Sequence, residues 1–378
     1  MRTEKADVAG LRFFTRNPVT LPWLSRSVIP VARAAREHDG ALVRLRRGWL
    51  HGPHIDLMAR GGMGRAPDWD RLADGFDAGE PATTGRLTEE KYLTQAREFG
   101  RLENVPPPYL PLRDHGVIEY LGSDDVHVHD PLLRNLQEIE VVDSALCAPM
   151  MDTIDTLAHR PEQATVRLAE AFTALADSYF LGLAHGTFSF RSHAEAFLAW
   201  AAPTKDARPA FEARRAKEAP QLRQVVEERL SGDVSALAGA WRTAFAYATG
   251  SLDSAVRDGR LTVQMLDSVL ATADITHMGP PGAPGTVPLG EQPDSDFHRT
   301  VLDSGVIDSP TPWYASYRLL INLFYPQLPL LTVSPIQRAY MCYALAETTD
   351  EVLGETWRER LAAGQARMAR VASKAETA

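Results

Sequence analysis

From Trp313 to Tyr325 the chain reads WYASYRLLINLFY, apolar around nearly the full helical turn with Asn322 as its one side-chain amide. A helix greasy on every side is a helix buried on every side. Pro326 and Pro329 end it. Ser334-Pro335-Ile336-Gln337 then has the form of a capping box, with Ser at N-cap, Pro at N1 and Gln at N3. A second helix is predicted from there to about Leu353, with Gly354 as its C′ residue. Ser316, Tyr317, Asn322, Tyr325, Tyr340 and Tyr343 make this pair a dry, hydroxyl-rich core element. For each tyrosine alone, simple packing with a satisfied hydroxyl is the plainer account.

Upstream the period changes. Leu11–Phe14 is strand-like, Leu24–His38 is an amphipathic helix with Val28, Val31, Ala32 and Ala35 on one face, and Ala41–Arg47 alternates as a half-buried strand. The turn through His51-Gly52-Pro53 leads into Ile55–Met58, which predicts a hairpin. Residues 62–86 read as a surface excursion, and Thr88–Leu102 as a helix capped by Thr88 with Glu90 in its first turn. Prolines 106, 107, 108 and 111 mark an extended linker. Val117–Val128 reads as strand, Asp130–Leu146 and Arg160–Leu183 as helices, and 206–231 and 233–258 as two charged helices broken at Gly232-Asp233. Residues 278–293 hold too many Gly and Pro for regular structure and read as a lid or a surface connection. The pattern is that of an α/β or α+β protein, helix-dominated after residue 130.

The 378 residues, 44% hydrophobic and 24% charged, allow one large domain or two ordinary ones. A net charge of −9 argues against a nucleic-acid partner. Two distant cysteines, Cys147 and Cys342, fit a reducing cytoplasm and exclude a cysteine-based metal site. No stretch predicts a signal peptide or a membrane span. Phosphate-cradling, GxSxG and HExxH motifs are missing, so no cofactor and no metal is expected. His127 and His129 share a strand face but lack a third ligand at suitable spacing.

Chemistry must then come from acid–base groups and positioned hydrogen bonds. The densest cluster is Ser189, Arg191, Ser192, His193 and Glu195. Ser192 and Glu195 fit a second capping box, which would put His193 at N1, where a helix N-terminus favours the neutral imidazole. Arg33, Arg36, Arg44, Arg46 and Arg47 form a local basic run able to hold an acidic peptide, or else a solvated face paired with nearby carboxylates.

The order of segments resembles a known family. A helix, VRLRRGWLHGPHIDLM, SFRSHAEAFL, LLINLFYPQLPLLTVSPIQRAYMCYALAE and a closing Gly354-x-x-Trp357 together look like the thiopeptide-type bacteriocin biosynthesis family, homologous to the C-terminal elimination domain of lantibiotic dehydratases. The resemblance covers about residues 10–365. It implies an α+β fold with a mixed sheet and flanking helices, helix-rich through the C-terminal two thirds. It also implies one catalytic domain over 1–378, with any sub-boundary near 104–112.

Two branches exist: elimination domains, which expel glutamate from glutamylated Ser or Thr, and pyridine synthases, which join two dehydroalanines in a formal aza-[4+2] cycloaddition. The elimination hairpin carries two arginines after GGPH, where this chain has His51-Gly-Pro-His54 followed by Ile55-Asp56-Leu57-Met58. The elimination motif His-Met-x-x-Asn-Arg corresponds here to the region of Asn322 and Tyr325, with neither His nor Arg. These departures favour the cycloaddition branch. The expected substrate is a modified precursor peptide, a leader plus a dehydrated azole-containing core, alongside other biosynthetic enzymes.

Tautomerisation of one amide to an imidic acid would use His193, Tyr325 and Tyr317. Ser192 and Ser316 would orient, Glu195 would act as a base, and Arg33, Arg36, Arg44, Arg46 and Asn322 would hold leader or substrate. A glutamate-eliminating subunit of a split dehydratase and a non-catalytic leader-binding scaffold remain the alternatives.

Overall fold

The computed structural model describes residues 8–37, 41–61, 67–82, 85–102, 105–122, 137–202, 205–262, 265, 295–306 and 311–376. His127, His129, the loop at 279–293, the far end of the strand expected to Val128 and the start of the helix expected from Asp130 lie outside them. The chain divides into two compact units. The first comprises described residues within Met1–Glu162, Arg257–Thr286 and Asn322–Val333, the second those within Gln163–Val256, Val287–Ile321 and Ser334–Ala378. The proline-rich stretch at 105–111 lies inside the first unit.

The first unit is built on strands β1 (Val8–Phe14), β2 (Leu42–Gly48), β3 (His54–Arg60) and β4 (Ile118–Gly122), in the order β2-β3-β1-β4. Every pairing among these strands is antiparallel, where a mixed sheet was expected. The β2–β3 pair is a hairpin, whose short turn can only return the chain antiparallel. Leu11, Phe13, Val43, Leu45, Ile55 and Leu57 share one face and are buried, as period two requires. Register places Arg12, Arg46 and Asp56 side by side on the other.

Helix α1 (Ile29–Glu37) follows a short turn of π-helix, Leu24–Val28. Helices α2 (Trp69–Asp74), α3 (Glu89–Leu102) and α4 (Gln137–His159) belong to the same unit. Helix α3 is capped by the Thr88 hydroxyl as predicted, accepting from Lys91 N at 3.3 Å. Helix α4 is tied to β2 by Val43 N–H donating to Ser144 Oγ at 3.0 Å.

The second unit is helical. It holds α5 (Ala164–Asp177), α6 (Leu183–Ala201), α7 (Arg208–Ser231), α8 (Ala236–Arg257) save its last residue, α9 (Asp296–Asp303), most of α10 (Pro312–Phe324), α11 (Pro335–Leu353) and α12 (Trp357–Glu376). Helix α11 packs against α6 and α7 and is apolar around its whole circumference from Ala339 to Ala346.

The Ser334 capping box forms in both directions, and Gly354 closes α11 at φ +63°, a left-handed backbone suited to glycine. The helix expected over 160–183 is divided: a 3₁₀ turn at Pro161–Gln163 precedes α5, and the chain breaks again before Gly182, whose φ is +74°. After Phe324 the backbone tightens into a 3₁₀ helix, Tyr325–Leu331, where Pro326 and Pro329 remove α-helical donors. Among the described residues no single helix is long and apolar enough to cross a membrane.

Candidate functional site

Helix α6 carries the SFRSHAEAFL segment, and its position is fixed from three sides. A Cβ on Gly186 would collide with the carbonyl of Ala176, so α6 meets α5 at a distance only glycine permits. The buried Tyr317 hydroxyl donates to the Gly186 carbonyl at 3.1 Å. Phe190 packs on Phe172.

Arg191, itself buried, donates to Glu347 at 2.5 Å and to Asp350 at 2.8 Å. Asp350 also accepts from Arg360 at 2.5 Å and from the backbone of Trp357 at 3.2 Å. Gly354 lets the chain reverse, and Trp357 then enters α12 with its ring 4.9 Å from that of Phe297. Phe297 in turn packs on Phe188 of α6 at 6.1 Å. The Gly-x-x-Trp segment thereby helps hold α9 against α6.

That docking brings His298 of α9 to Ser192 of α6. His298 Nε2 lies 3.0 Å from Ser192 Oγ, and its Nδ1 lies 2.6 Å from Ser295 Oγ. Ser295 is also the N-cap of α9, accepting the His298 backbone N–H at 3.2 Å. Burial pushes the His298 pKa down, while the Glu195 carboxylate opposes that shift. Glu195, one turn from Ser192, accepts from Arg208 at 2.8 Å.

Ser192 and Glu195 do not form the expected capping box. Helix α6 begins nine residues earlier, at Leu183 with Gly182 as N-cap, so both lie in its interior. His193 is consequently not at a helix N-terminus. Its imidazole pKa is nevertheless lowered, to about 3. The cause is first the crowding of protein atoms, which strips solvent from its surroundings, then the charges of Arg338, Arg318 and His298. The residue nonetheless stands on the exposed side of α6. Adjacent helical positions do not face each other, so His193 and Ser192 serve different directions.

Of the other expected groups, Tyr317 is fully buried, and burial raises its phenol well above the ordinary range. Ser316 is 1% exposed, and its hydroxyl has no hydrogen-bond partner among the described residues. Tyr325 is buried at the start of the 3₁₀ helix, with Asn322 half-buried one turn before it.

The expected leader-binding arginines are each engaged within the first unit. Arg33 pairs with Asp152 at 2.8 Å and Asp155 at 2.6 Å, and Arg36 donates to the Ser144 carbonyl at 3.1 Å. Arg44 lies 3.7 Å from Asp143, and Arg46 donates to Asp56 at 2.6 Å. Asp56 has no exposed surface and also receives both prongs of Arg12, at 2.7 and 3.1 Å.

Sequence reasoning singled out Ser192 and Glu195 and did not single out His298, Ser295 or Asp350. The only available signal was Ser295 three residues before His298, a lone N-cap pattern among many in the chain. Among the described residues no group of three or more His, Cys, Asp or Glu side chains is placed to hold a metal ion.

No family model and no curated protein matches the sequence. Solved structures do. The fold is similar to that of TbtD, a pyridine synthase from thiomuracin biosynthesis, at a TM-score of 0.63 and 18% identity over 92% of this chain and 99% of that one. It is also similar to TsrL, at a TM-score of 0.56 and 18% identity over 93% and 96% of the two chains. At such identity the likeness is one of fold.

Proposed function

We propose that this protein is a thiopeptide pyridine synthase, closing a pyridine from two dehydroalanines of a leader-bearing precursor peptide. The observation that carries the reading is the match to a pyridine synthase fold over nearly the full length of both chains. The missing arginines after the hairpin and the missing His and Arg near Asn322 agree with it.

The reaction asks little of covalent catalysis. One backbone amide tautomerises to its imidic acid, so that C=C–N=C becomes a 2-azadiene. Two C–C bonds then form to the second dehydroalanine. Loss of water from the former amide carbon, and breakage of the second residue's Cα–N bond, aromatise the ring. That nitrogen departs with the leader as a carboxamide.

Holding both alkenes at near-attack distance contributes up to about 7–11 kcal/mol. Proton handling falls to the exposed face of α6. His193 is neutral at neutral pH and able to accept the amide proton, and Ser192 offers a hydroxyl. Tyr317, with Ser316 next to it on α10, supports this wall from within through the Gly186 carbonyl, while Tyr325 and Asn322 belong to the other unit. Arg33 and Arg46, with 41% and 30% of their side chains exposed against 13% for Arg44, are assigned to the leader. An acidic leader would compete there with Asp152, Asp155 and Asp56.

The test is incubation with a synthetic leader peptide bearing thiazoles and two dehydroalanines. Mass spectrometry is expected to show a pyridine product and a leader carboxamide, and unchanged peptide would sink the reading. His193→Ala is expected to lower kcat by roughly 10²-fold with little change in KM.

A further inference from the structure

The two bonds of His298 define a direction. A backbone N–H already donates to Ser295 Oγ. If Nδ1 also carried a proton, Ser295 would accept twice, and its own hydroxyl proton would need another acceptor. Ser295 is buried, and its side chain has no other partner among the described residues.

The lengths agree. The Ser295–Nδ1 separation of 2.6 Å is short for N–H···O but ordinary for a hydroxyl donor, and the Nε2–Ser192 separation of 3.0 Å is ordinary for N–H···O. Ser295 O–H therefore donates to Nδ1, which fixes the proton on Nε2, and Nε2–H donates to Ser192 Oγ. Ser192 is half-buried and has no other side-chain bond among the described residues, so its proton points outward.

We propose that Ser295, His298 and Ser192 form a one-way hydrogen-bond donor chain, ending in a Ser192 hydroxyl that donates to an oxygen of the bound peptide. Ser192 in this arrangement is no nucleophile, because the imidazole beside it offers a proton instead of accepting one. Receiving Nε2–H makes the Ser192 hydroxyl a better donor, since bonds in such a chain polarise one another. His298 and Ser295 are positioning residues that act through Ser192. On the pyridine-synthase reading, on which this last step rests, the oxygen is that of the amide passing to its imidic acid. A hydroxyl donor there stabilises the charge that gathers on oxygen as the N–H proton leaves.

Two measurements on the full-length protein separate the chain from the reaction. In ¹⁵N-histidine NMR at neutral pH, His298 should show a protonated Nε2 and an unprotonated Nδ1, and Ser295→Ala should remove that preference. An Nδ1–H tautomer, an imidazolium, or a Ser295→Ala spectrum unchanged from wild type overturns the chain.

With the dehydroalanine peptide, His298→Ala should lower kcat by about 10²–10³-fold at nearly constant KM. His298→Gln keeps an amide N–H where Nε2 lies but has no basic nitrogen, and should recover most of that loss. Equal losses in the two variants would make the imidazole a base and overturn the proposal. Should His298→Ala not fold, the Gln variant and the spectrum decide alone. If wild type makes no pyridine while the spectrum is as stated, the functional reading fails and the donor chain stands.

Discussion

Asp56 has no exposed surface and lies between the guanidinium groups of Arg12 and Arg46. Burial pushes its carboxyl pKa up. The hydrogen bond from Arg12, with the charges of His54, Arg12 and Arg46, outweighs that and holds it below the ordinary carboxylate value. Asp56→Asn removes the negative charge between two guanidinium groups, and should cost about 3–5 kcal/mol in urea unfolding.

His54, on the same strand, is pushed the other way by burial, from 6.5 to about 4. Its Nδ1 lies 2.8 Å from the Gly52 carbonyl inside the hairpin turn. A group whose folded pKa is depressed gives its full stabilisation above the unfolded value, and loses it as pH falls towards the folded one. Between pH 6.5 and about 4 the wild type should therefore lose about 3 kcal/mol that His54→Gln does not lose, readable as the difference between their unfolding free energies across that range.

At the scale of elements, α6 shows how packing overrules propensity. Replacing a mid-helix glycine by alanine ordinarily gains about 1 kcal/mol. Gly186→Ala should instead lower the thermal midpoint, because the new methyl meets the Ala176 carbonyl and pushes α6 away from α5. A raised midpoint would show that the two helices separate freely.

Elements with local signals matched their sequence reading. Period two gave β2 and β3, Leu11–Phe14, read as strand-like, lies in β1, Thr88 capped α3, and Ser334 and Gly354 bounded α11. The Ser192–Glu195 pattern mimicked a cap because spacing alone is degenerate. Residues three apart also share one face of a helix interior, which is what Ser192 and Glu195 do.

For the molecule as a whole, a net charge of −9 and the internal pairing of its arginines bear on how it takes a charged partner. A run of open arginines would make leader affinity fall steeply with salt. Arg33, Arg36, Arg44 and Arg46 are instead occupied by carboxylates or a carbonyl. Leader affinity, measured by fluorescence anisotropy from low to molar salt, should therefore weaken only a fewfold. A drop of orders of magnitude would mean that the leader displaces those carboxylates outright.

By itself the sequence determined that the chain mixes strands with helices and is helix-dominated after residue 130, the apolar stretch from Trp313, the boundaries of α11 and the segment that carries Ser192, His193 and Glu195. Each follows from contacts among residues a few positions apart, which is where periodicity and capping chemistry act. Only the tertiary structure decided that Asp56 sits between Arg12 and Arg46, that Tyr317 turns inward to Gly186, and that His298 meets Ser192. Ser192 and His298 lie 106 positions apart. Their meeting depends on Phe188, Phe297 and Trp357 packing together and on Asp350 gathering Arg191 and Arg360. Contacts between distant elements leave no period in a single chain, so the Ser192–His298 contact becomes visible only once those elements are folded together.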